Sequence, residues 1–286
     1  MDIVKWIAIG LAGLILVYAG LVAFGAWRWK VATRDLVAAL DAGRLEGGIT
    51  HYDASEIAGL PAPVRRYFEW ALTHGQPIIR SVELTQTGTF NLSLIRPQWK
   101  SFTAGQQVTT ARPGFVWDAV ILMFPAVSVR VVDAYIAGEG MLRPAILGLF
   151  PLGAVQGKGE IARGELMRYF AEAVWYPTAL LPSQGVIWQA VDDSSARATI
   201  SDGEVSLTLL FRFGADGLVA EVHADARGGM VGNTVVMMPW DCRMSEYRRQ
   251  DGMQVPFLGE VVWQTPQGER SYYRGRITRL TYSFAQ

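Results

Sequence analysis

The sequence predicts an α+β protein: an N-terminal transmembrane helix followed by a curled antiparallel sheet, a half-barrel with a helical plug. Three observations carry this. From Ile7 to Ala26 the chain runs IAIGLAGLILVYAGLVAFGA without one charged side chain. From Arg80 onward the apolar period falls to two, in short runs rich in Val, Thr, Phe, Trp and Tyr. Inside that region, between Gly159 and Trp175, the spacing turns helical again.

The apolar run comes first. At 1.5 Å per residue, roughly 20 residues match a hydrocarbon core of about 30 Å. Ile, Leu, Val and Phe dominate it, and each favours insertion by about 0.3 to 0.6 kcal/mol near the centre of a span. Trp6 stands at one end and Trp27 and Trp29 at the other, where amphipathic rings prefer the headgroup level. The run exceeds a signal-peptide core of about 7 to 15 residues, and no clean cleavage signal follows, so an uncleaved anchor is expected. The helix continues through VATRDLVAAL to about Ala42, where Gly43 and the Gly47-Gly48 pair break it. A second helix starts at Pro63, with Val64, Tyr67, Phe68, Ala71 and Leu72 on one face and Gly75 as the stop. His74 in its last turn suits the helix dipole.

Beyond Arg80, turn signals separate the strands: Arg112-Pro113-Gly114, Asp202-Gly203, Asp216-Gly217, Asp251-Gly252 and Gln267-Gly268. Adjacent strands joined by such turns read as an antiparallel meander. Leu166, Tyr169, Phe170, Ala173 and Val174 form the apolar stripe of the inserted helix, which Pro177 ends. The expected division is residues 1–42 as anchor helix and extension, 43–79 as a helical segment, and 80–286 as the half-barrel, with its helical insertion at about 140–182. A meander must hide one face; curled around helices, it leaves an apolar cavity suited to a small ligand.

Composition excludes several functions. Half of all residues are hydrophobic and the formal net charge is zero, which argues against disorder and against a nucleic-acid partner. Phosphate-binding loops, nucleophile elbows, metalloprotease helices and paired-cysteine zinc spacings are missing. The three histidines are scattered and Cys242 is alone, so neither a metal nor a cofactor is expected.

Three polar constellations remain. On the strand LVAEVHADAR, the residues Glu221, His223 and Asp225 share one face at spacing two. They read either as a solvated strand face or as acid–base groups. Glu165, Arg168 and Glu172 share the face of the inserted helix opposite its apolar stripe, either in solvent or at the mouth of a cavity. Glu260 and the arginines Arg274 and Arg276 suit cross-strand pairing in the last two strands. The aromatic residues Trp117, Tyr169, Trp175, Tyr176, Trp188, Trp240 and Trp263 serve as core or as cavity lining.

The stretches LPAPVRRYFEWAL, VELTQTGTF, FVWDA, GELMRYFAEAVWYPTALLP, PWDCRMSEYRRQDGMQVP and GEVVWQTPQGERSYYRGRITRLTY resemble an uncharacterised bacterial family of membrane-anchored proteins. The GTFNLSLIRPQWKSF hairpin, followed by strands and a helical insertion, is similar in layout to the LolA/LolB lipoprotein carriers, half-barrels closed by helices that shelter acyl chains. The first resemblance implies a bacterial membrane protein and no particular activity; the second implies a LolA-like fold working outside the cytoplasm.

The expected function is therefore a membrane-anchored, non-enzymatic protein that shelters a lipid or other apolar ligand. Its cavity would be lined by Trp117, Tyr169, Trp175, Tyr176, Trp188, Trp240 and Trp263, with Arg168 and Glu172 near the entrance. Two alternatives stay open: an enzyme using Glu221, His223 and Asp225 on a membrane-derived substrate, and a structural partner in an envelope assembly. The bilayer, through residues 7–26, is the one expected partner besides the ligand. The expected location is the bacterial cytoplasmic membrane, crossed once. Arg28, Lys30, Arg34 and Arg44 against Lys5 favour a cytoplasmic domain, whereas the LolA-like layout favours the periplasm.

Overall fold

A computed structural model of the chain describes residues 2–45, 47–93, 96–231 and 234–286. The N-terminal helix α1 runs over Asp2–Ala42, α2 over Ala62–Ala71 and α3 over Glu160–Glu172. Short 3-10 turns at Ala173–Trp175, Pro177–Leu180 and Pro182–Gln184 extend the path of α3. The strands are β1 Ile79–Asn91, β2 Trp99–Thr109, β3 Gly114–Phe124, β4 Val127–Ile136, β5 Glu139–Ile146, β6 Phe150–Pro151 and β7 Val155–Gly157. After α3 come β8 Ile187–Asp192, β9 Ser195–Asp202, β10 Val205–Phe213, β11 Val219–Val231, β12 Thr234–Gln250, β13 Met253–Thr265 and β14 Gly268–Phe284.

Among the described residues, these fourteen strands form one sheet in the order β6-β5-β4-β3-β2-β1-β14-β13-β12-β11-β10-β9-β8, with β7 paired to β5. Every pairing is antiparallel. The sheet is two meanders joined where β1 pairs with β14, and the path runs from β6 to β8 without closing. It curls strongly. Asp202 at the end of β9 accepts hydrogen bonds from Arg112 Nε and the Tyr135 hydroxyl, both at 2.9 Å, across most of the strand order. α3 lies over the concave face and packs against β3, β4, β5 and β7 on one arm and β10 and β11 on the other. One apolar core fills the space between the sheet, α2, α3 and the 3-10 turns.

The five turn pairs named above join β2–β3, β9–β10, β10–β11, β12–β13 and β13–β14. Leu94 and Ile95 of the GTFNLSLIRPQWKSF stretch lie outside the described residues. Two expectations are corrected. The segment at about 140–157 is strand, not helix: β5 carries Gly140 and Pro144, which blunt the strand signal, and the helical stretch starts at Glu160. His74 lies beyond the end of α2, and its Nδ1 accepts from the Ala54 amide at 3.2 Å, so it serves a loop and not a helix terminus.

α1 is, among the described residues, the one helix long and apolar enough to cross a membrane. Its two halves differ. Residues 3–17 are exposed throughout, whereas Tyr18, Val22, Gly25, Trp29, Thr33, Leu36 and Leu40 form an inward row at helical spacing. That row lies on the convex face of the sheet, where Trp29 and Leu40 pack with Val116, Val132, Ala134, Met141 and Ala145. Trp29 Nε1 donates to Asp118 Oδ1 at 2.8 Å. Gly25 meets the Leu147 carbonyl and the Leu149 side chain so closely that any Cβ there collides with them.

Candidate functional site

The concave face holds the least expected feature of the molecule, a group of charges inside an apolar core. Glu165, Arg168 and Glu172 fall at i, i+3 and i+7 of α3 and so share a face. That face turns into the sheet. Glu165 and Glu172 are buried, and the Arg168 side chain is 13% exposed. Its guanidinium sits 4.9 Å from the centre of the Phe115 ring and 4.8 Å from that of Trp117. Those rings point the same way because they are two residues apart on β3. Arg168 donates to Glu172 Oε1 at 2.8 Å and to Asp133 Oδ2 at 2.5 Å, and Asp133 on β4 is directly opposite Trp117.

Neighbouring strands extend the network. Gln106 on β2 donates to Glu172 Oε2 at 2.6 Å, and Gln86 on β1 accepts from Trp117 Nε1 at 3.0 Å. From the other arm comes Arg227, 3.9 Å from Glu165 Oε2. A β-bulge between Ala224 and Arg227 explains its direction: the additional residue breaks the alternation that put Val222 and Ala224 inward. Arg227 lies 4.7 Å over the Trp240 ring, and Trp240 Nε1 donates to the Tyr272 hydroxyl at 3.0 Å. Trp263 stacks on Tyr272 with centroids 5.6 Å apart.

The electrostatics of this group are unusual. Burial, reinforced by the neighbouring Asp133, pushes the Glu165 carboxyl well above its ordinary value of 4.5. Burial disfavours the Arg168 charge, but Glu172, Asp133 and Glu165 outweigh it and hold the guanidinium well above its usual range. Arg168 and Arg227 thus share the group with three carboxyls, Glu165, Asp133 and Glu172. Asp133 Oδ1 and Glu165 Oε2 both lack a hydrogen-bond partner. Gln106 Oε1 and Trp175 Nε1 are likewise buried without partners. Perturbed, incompletely bonded groups of this kind mark functional sites more often than ordinary core.

A family model matches residues 58–282. The chain belongs to DUF6920, a family of unknown function. Comparison with curated proteins yields no match. Among solved structures, a LolA superfamily protein from Nitrosomonas europaea is similar at a TM-score of 0.39 and 8% identity, over 78% of this chain and 93% of that one. A β-barrel-like protein of the domain of unknown function DUF1849 from Brucella abortus is similar at a TM-score of 0.23 and 9% identity, over 72% of this chain and 99% of that one.

The nine residues expected to surround a ligand occupy three parts of this DUF6920 core. Trp117, Arg168 and Glu172 belong to the charged group, with Trp240 and Trp263 beside it through Arg227 and Tyr272. Tyr169, Tyr176 and Trp175 pack within the helical stretch: Tyr176 donates to the Tyr169 carbonyl at 2.6 Å, and the Trp175 carbonyl accepts from Tyr282 at 2.6 Å. Trp188 lies apart, its ring 5.0 Å from Phe211 and its Nε1 donating to Leu180. These side chains fill the curl themselves. A cavity of about 300 Å³ lies between α1 and the convex face, near Thr33, Val37 and Asp118. One of about 450 Å³ lies between Arg112, Lys158, Arg163 and Asp202. None of the nine lines either.

Glu221, His223 and Asp225 do share a face, the convex one, away from Glu172. His223 and Asp225 come together, while Glu221 bonds elsewhere. Glu221 pairs with Arg212 and Arg243, whereas His223 lies between Asp241 at 2.6 Å and Asp225 at 3.2 Å. No metal-holding cluster occurs among the described residues. Glu260 pairs with Arg274 at 2.8 Å as expected across β13 and β14, while Arg276 bonds Glu246 instead. Cys242 faces the core, where burial pushes its thiol up. Sequence reasoning missed Asp133, Gln106 and Arg227, which lie on three separate strands. A signal was present: Asp133 and Gln106 are polar where VRVVDAYI and FTAGQQV place an inward apolar residue.

Proposed function

We propose that this protein is a single-pass, membrane-anchored binding module. It takes a lipid or similar apolar ligand at the half-buried end of its half-barrel, where the ligand must part side chains that otherwise fill the curl, with α3 as the plug. The observation that supports this reading best is a shared direction. α1 passes the β3–β4 turn at Tyr18 and continues beyond the sheet as a free apolar helix. At the same end the concave core loosens. Val64, Tyr67, Phe68 and Ile79 are fully buried at the far end, whereas Met123, Phe90 and Tyr272 are only half-buried here. An apolar chain arriving from the bilayer meets these three first. Behind them, Arg168 and Arg227 supply the few convergent polar groups that orient a ligand in an apolar site, and the unbonded Gln106 Oε1 and Trp175 Nε1 offer it hydrogen bonds.

The test is a photo-reactive side chain at Tyr272 in the full chain, expressed in a lipid-containing host, extracted in detergent and freed of loose lipid by gel filtration. Illumination is expected to give a covalent lipid adduct at Tyr272 and none at an equally treated Ile187, on the exposed face of β8. Failure to form any adduct at Tyr272, with native mass spectrometry showing only the bare chain, rejects the binding function.

A further inference from the structure

We propose that the helix is only part of the membrane contact: the β3–β4 and β5–β6 turns sink into the same leaflet, so that the half-barrel is seated in the bilayer and not suspended above it. This rests on the reading that α1 crosses the membrane.

The argument begins with a length. The charge-free stretch of α1 that stands clear of the domain runs from Trp6 to Val17, about 18 Å at 1.5 Å per residue. If Lys5 snorkels and the stretch is counted from Ile3, it reaches about 22 Å. A hydrocarbon core is about 30 Å thick. The shortfall of about 8 to 12 Å must come from the docked part of the helix, and tilting only widens it. The hydrocarbon boundary then falls near Gly25, just before Trp27 and Trp29, whose rings suit the headgroup level. Whatever lies beside α1 between Tyr18 and Gly25 is carried below that boundary.

Two turns lie there. The β3–β4 turn touches Tyr18, and the β5–β6 turn touches Gly25. The residues flanking both turns expose large apolar side chains: at the end of β3 Phe124 is 64% exposed and Leu122 48%, and in and just after β6 Phe150 is 56% and Leu152 55% exposed. Immersion by about 5 to 10 Å is usual for interfacial elements.

The turn backbone is prepared for a dry environment. Polar main-chain groups in lipid need partners from the protein, since water is lacking. The Tyr18 hydroxyl donates to the Ala126 carbonyl in the β3–β4 turn. Lys100 Nζ donates to the Met123 carbonyl at 2.8 Å while lying 5.0 Å from the centre of the Phe124 ring. Two side chains thus satisfy carbonyls that solvent would serve if the turn stood in water.

The experiment uses the full chain carrying Cys242→Ser, with a single fluorophore on Phe124→Cys, Phe150→Cys, Ile187→Cys or Leu14→Cys, reconstituted into phosphatidylcholine vesicles holding nitroxide-labelled acyl chains. Leu14 reports the crossing, Phe124 and Phe150 the seating, and Ile187 the water-facing reference. The expected result is quenching at Leu14 by deep nitroxides and at Phe124 and Phe150 by shallow ones, each severalfold above Ile187. Quenching at Leu14 with Phe124 and Phe150 equal to Ile187 overturns the seating and leaves the crossing intact. No quenching at Leu14 removes the crossing and the seating with it. A membrane-impermeant maleimide, slow at Phe124→Cys in vesicles and fast in detergent, checks the seating without a fluorophore.

Discussion

At Glu165, the proton belongs to the fold. The folded carboxyl holds it more tightly than the unfolded one, whose value is near 4.5. The stability this group contributes is therefore complete below about pH 4.5 and is lost as pH rises through the elevated folded value. Melting temperature should fall over that interval, and Glu165→Gln, which keeps the shape and discards the titration, should flatten the fall. An unchanged slope in the variant would assign the dependence to another group. Asp133→Ala removes one of the two carboxylates that bond Arg168 and leaves a buried cation half-paired. Breaking a buried pair costs about 3 to 5 kcal/mol; with Glu172 still in place, about 3 kcal/mol is expected by chemical denaturation of the detergent-solubilised chain. These residues also mark where sequence reading ran out. The spacing showed that Glu165, Arg168 and Glu172 share a face, but solvent is the ordinary destination of such a face. Its burial depends on Asp133 and Arg227, which only the curl of the sheet brings near.

Helices and strands were legible in proportion to how local their causes are. The α2 stripe and the D-G turns act over a few residues, and the structure places them as the pattern predicts. β5 escaped because Gly140 and Pro144 interrupt its alternation. Gly140 is there for a tertiary reason: the main chain at Ile161 and Ala162 of α3 occupies the place of a Cβ. The seating of α1 is another tertiary effect, and it has a definite weak point. Gly25→Val should push α1 away from the Leu147 carbonyl and break the Trp29–Asp118 bond. A cysteine at Thr33, half-buried under α1, should then react with a thiol reagent much faster than in the parent. Equal rates would mean that the helix is held from Trp29 to Leu40 alone.

For the molecule as a whole, the sequence indicated a meander but not its join. Nothing in the residues of β1 names β14 as its partner, because register across so long a separation is set by the curl and by the core beneath it. Stopping the chain before Gly268 should therefore do more than remove one strand. It uncovers both β1 and β13 and divides the sheet into two halves. Such a truncation is expected to lose the cooperative melt of the whole, measured by near-ultraviolet circular dichroism. A retained single transition would show that α3 alone holds the two arms together.

The β1–β14 pairing also governs how the protein is made. β1 leaves the ribosome well before β14. The partner strand follows only after the other twelve strands. Until β14 follows, β1 is an open edge, a ready template for any stray strand, and closure must bring together segments some 200 residues apart, a slow search by loop-closure arguments. Assembly of the sheet is thus timed by the arrival of β14.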